Sequence, residues 1–450
     1  MAEKSLAAND FRGADAAIKE AEGEYGEKNR VLYGMDRGMT LHLAGDYLQS
    51  NVALEQSEDE VDRLYTRRVR TETAAFLTND NLLPYEGDPY EQAMINVLKA
   101  LNYALLGDLE GALVEARRVD HRLNVLSDRT KDKNDYREDG FARYVTGILY
   151  EAAGQMNDAF IAYRKSYEIY QSVKSWSGTG APAQLQVDLL RAAEALRLNQ
   201  ELMEYQRAFP NIQWQSAEEQ RQLTQVVVIS YNGRAPRKED RFLDVPVSMD
   251  ALQLVLLNRA LTQNNRNRAA DTTLYALNGR VVRIAIPKLI PQKTHVPVDT
   301  VSLVSEGSAP VTVRTELAQN VTALADKALD ERLPAITVKA TARAATKFAM
   351  AEAATRGSQS AAGQKNADWV GLLVGLVAHG YAIASEEADK RSWRTLPDEI
   401  HLARVWVPPG TYHVQASGLT GPNNQKNDQK GKTMSLAPGK TVFIVRRVML

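Results

Sequence analysis

The chain has 450 residues, 44% apolar and 25% charged. These ordinary globular values exclude a wholly disordered or collagen-like polypeptide, and about 150 residues per domain suggests two or three domains. Lys plus Arg number 55 and Asp plus Glu 56, a formal charge of −1, so there is neither a basic footprint for nucleic acid nor an acidic solvating tail. Cysteine is absent, which removes disulfides, thiolate metal sites and thiol nucleophiles.

The first twenty residues hold four acidic side chains and no apolar run, so they do not read as a signal peptide. One pattern then recurs: NDFRGA from Asn9, GDYLQS from Gly45, GDLEGA from Gly107 and GQMNDA from Gly154. Apolar residues recur at three- and four-residue spacing on both sides of each copy, as in amphipathic helices. Glycine accepts the left-handed conformation that ends a helix, and the small Ala or Ser that follows lets a second helix pack closely. The unit is therefore a helix–turn–helix. It resembles the tetratricopeptide repeat, whose usual period is about 34 residues. The intervals here are 36 (Asn9 to Gly45), 62 (Gly45 to Gly107) and 47 (Gly107 to Gly154), so the array is divergent and carries insertions. Residues 185–205 continue the helical spacing and would close it.

Within the second interval, residues 78–93 (TNDNLLPYEGDPYEQA) hold Pro84, Gly87 and Pro89. They read as a rigid elbow in which Asp88 or Pro89 starts the next helix, with a partner-contacting loop as the alternative. Residues 172–182 (SVKSWSGTGAP) read as a loop.

After Pro210 the pattern changes. Residues 224–231 (TQVVVISY), 280–286 (RVVRIAI, closed by Pro287), 301–304, 311–313, 400–407, 411–417 and 441–448 read as strands, with a turn at Asn232-Gly233 and a polar hairpin loop over 419–432. Helices are expected at 249–261, 317–332, 336–355 and 368–388. The expected fold class is α+β: a tetratricopeptide-like α-solenoid over 1–210, then a β-sandwich-like domain over 211–450 with a helical insertion at about 317–388.

Signatures of catalysis are missing from the sequence. The two Gly-Lys-Thr triplets at 431–433 and 439–441 lack the upstream glycine of a phosphate-binding loop, with Lys426 and Met434 in its place. The six histidines (His42, His121, His295, His379, His401 and His413) form no metal-binding spacing, although His401 and His413 flank a tight turn. No enzyme activity, metal or cofactor is expected. Residues 369–384 (WVGLLVGLVAHGYAIA) carry no formal charge, but 16 residues rise only about 24 Å, less than the ~30 Å of a hydrocarbon core. A buried helix is the plain reading. The alternative is a hairpin over 336–388 that touches membrane or an oligomer interface through Trp369, Gly371 and Gly375.

Four segments carry a family resemblance: TNDNLLPYEGDPYE at 78–91, LNYALLGDLEGALVEARRVD at 101–120, FARYVTGILYEAAGQMNDAFIAY at 141–163 and EADKRSWRTLPDEIHLARVWVPPGTY at 387–412. They are similar to a poorly characterised family of bacterial envelope lipoproteins with tetratricopeptide-like N-terminal helices. The resemblance implies export and a lipidated N-terminal cysteine, neither of which this sequence contains, and so a periplasmic or outer-membrane location. The expected function is a non-enzymatic scaffold whose concave repeat surface holds a protein partner of the envelope through Asn102, Tyr103, Glu115, Arg118, Tyr144 and Tyr163. A membrane-associated or pore-forming homo-oligomer built by the 336–388 hairpin is the alternative. In the last segment, Trp393 is expected to plug the helix–sheet junction and Arg391 to pair with an acid such as Asp389.

Overall fold

The computed structural model describes residues 1–71, 81, 83–129, 139–249, 253, 279, 281–293, 298–361, 387–420 and 425–448. The first half is helical: α1 (Ala2–Ala7), α2 (Phe11–Glu20), α3 (Glu22–Tyr25), α4 (Arg30–Ala44), α5 (Tyr47–Thr71), α6 (Pro89–Leu105), α7 (Leu109–Arg129), α8 (Gly140–Ala152), α9 (Met156–Ser177), α10 (Ala183–Ala195), α11 (Asn199–Ala208) and α12 (Ala217–Gln220).

The four recurring segments sit at comparable bends, between α1 and α2, α4 and α5, α6 and α7, and α8 and α9. Asn9 (φ 57°), Gly45 (80°), Gly107 (80°) and Gly154 (78°) are left-handed. At each bend the next residue donates its backbone N–H five residues back: Asp10 to Ser5 (2.8 Å), Asp46 to Leu41 (3.0 Å), Asp108 to Tyr103 (2.9 Å) and Gln155 to Tyr150 (2.8 Å). This closure satisfies carbonyls that a helix end would otherwise leave unpaired. The small residues five places after each bend, Ala14, Ser50, Ala112 and Ala159, are buried. A fifth bend lies between α10 and α11, where Arg197 takes φ 58° and Leu198 donates to Ala193 at 2.9 Å. Asp88 caps α6 and Pro89 is its first residue, as the elbow reading required. The predicted loop at 172–182 starts later than expected. Helix α9 runs to Ser177, since Tyr170 is buried and Trp176 packs on the same core, and it stops at Gly178 (φ 66°).

The second half adds β1 (Thr224–Asn232), β2 (Arg234–Pro246), β3 (Val281–Gln292), β4 (Val298–Val304), β5 (Val311–Arg314), β6 (Glu316–Asn320), α13 (Val321–Ala361), β7 (Glu399–Val407), β8 (Gly410–Thr420), β9 (Gln425–Leu436) and β10 (Thr441–Val448). Among the described residues three sheets form, ordered β10-β1-β7-β6, β5-β4-β8-β9 and β2-β3. β10 runs parallel to β1, and the other pairings are antiparallel.

Several sequence expectations need correction. β3 does not stop at Pro287 but passes through it to Gln292, opposite Asp240 of β2. A two-stranded ribbon leaves alternate N–H groups unpaired in any case, so proline costs little there. The 419–432 segment is mostly strand β9 rather than loop. The helices expected at 317–332 and 336–355 are one helix, α13, which begins after β6 and contains Pro334. Residues 369–384, with Trp369, Gly371 and Gly375, lie outside the described residues, as does nearly all of 249–261. Among the described residues no helix is long and apolar enough to cross a membrane.

The β10-β1-β7-β6 sheet lies at the centre, and strand alternation gives its two faces different partners. Val227, Ile229 and Tyr231 of β1 align with Arg404, Leu402 and Ile400 of β7 and with Phe443, Val445 and Arg447 of β10. The apolar members of this set join the helices in one cluster that runs from Val31 of α4 to Ala193 of α10. The opposite face, with Val226, Val228, Ala403 and Val407, forms a second cluster with Val301, Leu303, Tyr412 and Val414 of the other four-stranded sheet. Helix α13 packs its Ala340–Ala345 stretch on Val282, Ile284 and Ile286 of the β2-β3 ribbon. The helical half and the central sheet therefore share one core.

Candidate functional site

The main concentration of buried charge lies where the central sheet meets α8, α9 and α10. Arg404 occupies a position of β7 that faces the helices, and its side chain has no exposed surface. It pairs with Glu151 of α8 at 3.0 Å and with Asp188 of α10, and it donates to the Tyr163 hydroxyl at 3.1 Å. Arg191 of α10 pairs with the same two acids, Glu151 at 2.6 Å and Asp188 at 3.2 Å. The Trp406 ring lies 5.1 Å from both guanidinium carbons. The Tyr144 hydroxyl donates to Asp188 and the Tyr163 hydroxyl to Glu151, each at 2.6 Å. Two guanidiniums balance two carboxylates, and that pairing makes burial of the charges tolerable.

The electrostatics hold Glu151, both tyrosines and both arginines of this network in one charge state each. Burial pushes the Glu151 carboxyl up, but Arg404 and Arg191 outweigh it and hold the group well below the ordinary carboxylate range. Burial and Asp188 push the Tyr144 hydroxyl well up, and burial does the same to Tyr163 despite Arg404 beside it. The tyrosines stay neutral, Glu151 stays ionised and the arginines stay charged, so the network fastens helices to sheet.

Two smaller polar clusters tie the same layers together. The Asn102 side-chain oxygen lies 2.6 Å from His42 Nδ1, and its amide donates to Ser50 (2.9 Å) and Asn51 (2.8 Å). His42 Nε2 lies 3.1 Å from the Tyr231 hydroxyl. Burial pushes His42 down to about 4, so the ring is neutral. The geometry assigns it as a donor to Asn102 from Nδ1 and an acceptor from Tyr231 at Nε2.

The other cluster holds residues 387–398, an irregular segment threaded between helices and sheet. Glu91 accepts from the Trp393 backbone N–H at 2.7 Å, the Asp88 N–H at 2.8 Å and the Tyr85 hydroxyl at 2.5 Å. Asp36 accepts from Thr395 Oγ1 at 2.9 Å and the Tyr25 hydroxyl at 2.8 Å. Burial and neighbouring Asp88 push Glu91 up to about 7. Burial pushes Asp36 up to about 6. Asp88 pairs with Lys238 of β2 at 2.9 Å and with Arg332 of α13. Trp393 is fully buried at this junction and Arg391 pairs with Asp389 at 2.7 Å, both as expected.

These contacts correct the picture of an open groove. Asn102, Tyr144 and Tyr163 lie beneath the central sheet, bonded to the protein's own side chains. The first helices of the pairs are too apolar to stay uncovered, and the alternating residues of β1, β7 and β10 fill the hollow they form. Tyr103 is half-buried against Gly111 of α7. Glu115 is buried between Lys99 (3.2 Å) and Arg118 (3.3 Å), and Arg118 reaches out to Glu55 at 3.0 Å. Glu115 and Arg118 thus belong to a charge network on α5, α6 and α7, distinct from the Arg404 junction. Sequence reasoning missed Glu151, Asp188, Arg191 and Arg404. The signal available was charge at core positions: Asp188 and Arg191 interrupt the apolar face of VDLLRAAEAL, and Arg404 interrupts the strand IHLARVWV. His401 pairs with Glu399 at 3.0 Å and His413 lies 3.3 Å from Thr433. Among the described residues, no group of three metal-ligating side chains converges.

No family model and no curated protein matches the chain. Two solved structures bear a distant likeness to it. A crystal structure of MamA is 17% identical, with a TM-score of 0.29, covering 46% of this chain and 91% of that one. A second crystal structure, of MamA protein, is 15% identical, with a TM-score of 0.28, covering 47% of this chain and 92% of its own. TM-scores this low fall short of a shared global fold.

Proposed function

We propose that the protein is a non-enzymatic scaffold of the bacterial cell envelope, periplasmic or attached to the outer membrane, which binds a protein partner through its helical pairs. One observation carries the reading: the inner face of the helical array is locked to the protein's own sheet by a buried network of ion pairs. That leaves the second helices of the pairs as the accessible surface. They expose Leu48 and Val52 on α5, Val114 on α7, Ile161 on α9 and Met203 on α11. Apolar side chains displayed on a rigid frame suit protein docking, because little is lost to ordering when a partner binds. The strand-rich half, which we read as a sandwich-like brace, supports that frame. The envelope location rests on the four segments that resemble the lipoprotein family.

In-cell photo-crosslinking from single sites spread over α2, α5, α7, α9 and α11, followed by cell fractionation, tests this reading. A discrete adduct with an envelope protein supports it. Recovery of the protein from the cytosolic fraction, or no adduct from any site, contradicts it.

A further inference from the structure

The edge of a β-sheet presents a row of backbone N–H and C=O groups that another extended chain can pair with. Proteins blunt such edges with short strands, bulges, charged side chains or proline. Most edges here are blunted in one of these ways. β5 has four residues, and β6 has five with a register shift between Leu317 and Gln319. β9 carries Lys426, Asp428, Lys430 and Lys432. β2 holds the run RKED, and β3 holds Pro287 and Pro291.

β10, at the other end of the central sheet from β6, opens without any of these devices. It has eight residues, pairs with β1 without a register shift, and starts with TVFIV, which has no charge and no proline. The pairing fixes the direction of its backbone groups. Gln225 N–H donates to the Lys440 carbonyl and Gly233 N–H to the Val448 carbonyl, each at 2.9 Å. Along a parallel pair the bonds recur at every second residue, so the even-numbered residues of β10 serve β1. The N–H and C=O groups of Thr441, Phe443 and Val445 therefore point to the free edge, and among the described residues they have no partner. The edge is also accessible. β1 is buried along its whole length, whereas Thr441, Val442, Ile444 and Val445 are half-buried. Val442 and Ile444 lie on the face toward the second four-stranded sheet, and Val445 on the face toward the helices. Arg446 and Arg447, both buried, are inward-pointing charges of the kind that close an edge, so the free stretch is 441–445.

We propose that this edge docks an extended apolar segment of a partner protein, which adds a fifth strand to the central sheet. A row of backbone donors and acceptors is matched by another extended backbone, and alternate side chains of the added strand meet apolar neighbours on both faces. Helices α4 and α6 pack against β10. A second copy would bring its own helices to the same edge, whereas a single strand brings none, which favours a lone segment over self-pairing. The edge is separate from the outer helical face, so each docking surface can fail without the other.

The test uses the full chain and a short fluorescent peptide of alternating Val and Thr with Lys at its ends, read by anisotropy and by hydrogen exchange of the protein. A version N-methylated throughout, with the same side chains and no backbone donors, is the control. The plain peptide should bind wild type and slow exchange over 441–445, and the N-methylated version should do neither. Val445→Pro removes an outward N–H without removing a bond to β1, and it should weaken binding at least about tenfold. A circular dichroism melt matching wild type shows that this variant is folded, and the exchange comparison on wild type needs no variant at all. Absence of binding to wild type, slowed exchange only outside 441–445, or equal binding of the N-methylated peptide overturns the proposal. Equal binding to a folded Val445→Pro protein does so too. Concentration-dependent self-association of wild type that Val445→Pro abolishes would make a second copy the occupant and would likewise overturn it.

Discussion

Replacing Arg404 with methionine tests the claim that charge balance fastens the sheet to the helices. The guanidinium is fully buried and serves Glu151, Asp188 and the Tyr163 hydroxyl. Removing one member of a buried ion pair costs about 3–5 kcal/mol, because its partner stays buried and uncompensated. Here Arg191 remains at 2.6 Å from Glu151 and 3.2 Å from Asp188, and Tyr144 still donates to Asp188. Two acids then share one cation, so the loss should fall at the lower end, about 3 kcal/mol at neutral pH. Methionine fills much of the volume, so little of the loss should come from a cavity. The loss should also depend on pH. The native network holds Glu151 well below the ordinary carboxylate range, a contribution present above the unfolded-state pKa and lost only as pH falls through the depressed folded value. Without Arg404 Glu151 can take up a proton sooner, so the difference between variant and wild type should shrink below about pH 5. Urea unfolding followed by tryptophan fluorescence at neutral and acid pH measures both effects. Adding Asp188→Asn to the variant should recover at least about 1 kcal/mol, since one cation then faces one anion. A loss under about 1 kcal/mol, or one unchanged by pH or by the second substitution, would refute the reasoning.

Two further expectations concern backbone geometry and titration. Gly154→Ala places a methyl group in open space at φ 78° and should cost about 1 kcal/mol, whereas Gly147→Ala puts Cβ 2.5 Å from the Tyr163 ring and should cost about 1–3 kcal/mol. Thermal melts that rank them in the opposite order would contradict the close approach of α8 and α9. Glu91 at about 7 and Asp36 at about 6 both stand above the ordinary carboxylate range. Their contribution is complete below the unfolded-state values near pH 4 and is lost as pH rises through the folded ones. Stability should therefore decline from about pH 5 to about pH 8, and Glu91→Gln should flatten the upper part of that decline. A profile identical in wild type and variant would show that Glu91 is not the titrating group.

The legible parts of the fold were those with a strong local cause. Gly45, Gly107 and Gly154 adopt the conformation glycine allows, and each is followed by a polar residue and an apolar helix, so their bends could be read directly. The fifth bend escaped because Arg197 takes the same left-handed conformation without a glycine to mark it. Strands β1, β7 and β10 were readable because both of their faces are buried or half-buried. β2 (RAPRKEDRFLDVP) and β9 (QKNDQKGKTMSL) were not, because their composition is that of a solvated loop and only pairing with β3 and β8 makes them strands. The break expected between 332 and 336 is absent, because α13 continues through Pro334. The junction was the least readable part. Arg404 and Glu151 are 253 residues apart, and nothing local in IHLARVWV says that the arginine points inward. The groove reading failed at the same place, since helical periodicity reports that a face is apolar without saying what covers it.

The central claim is that the inner face of the helical array is sealed by the protein's own sheet while the outer face is open. The chain has no cysteine, so single thiols can be introduced without background. Ala318→Cys places one on β6 within the shared core, and Val114→Cys places one on the outer face of α7. The account predicts rapid maleimide labelling of the native Val114→Cys protein and labelling of Ala318→Cys only at the rate of unfolding. Comparable native labelling of the two would contradict it.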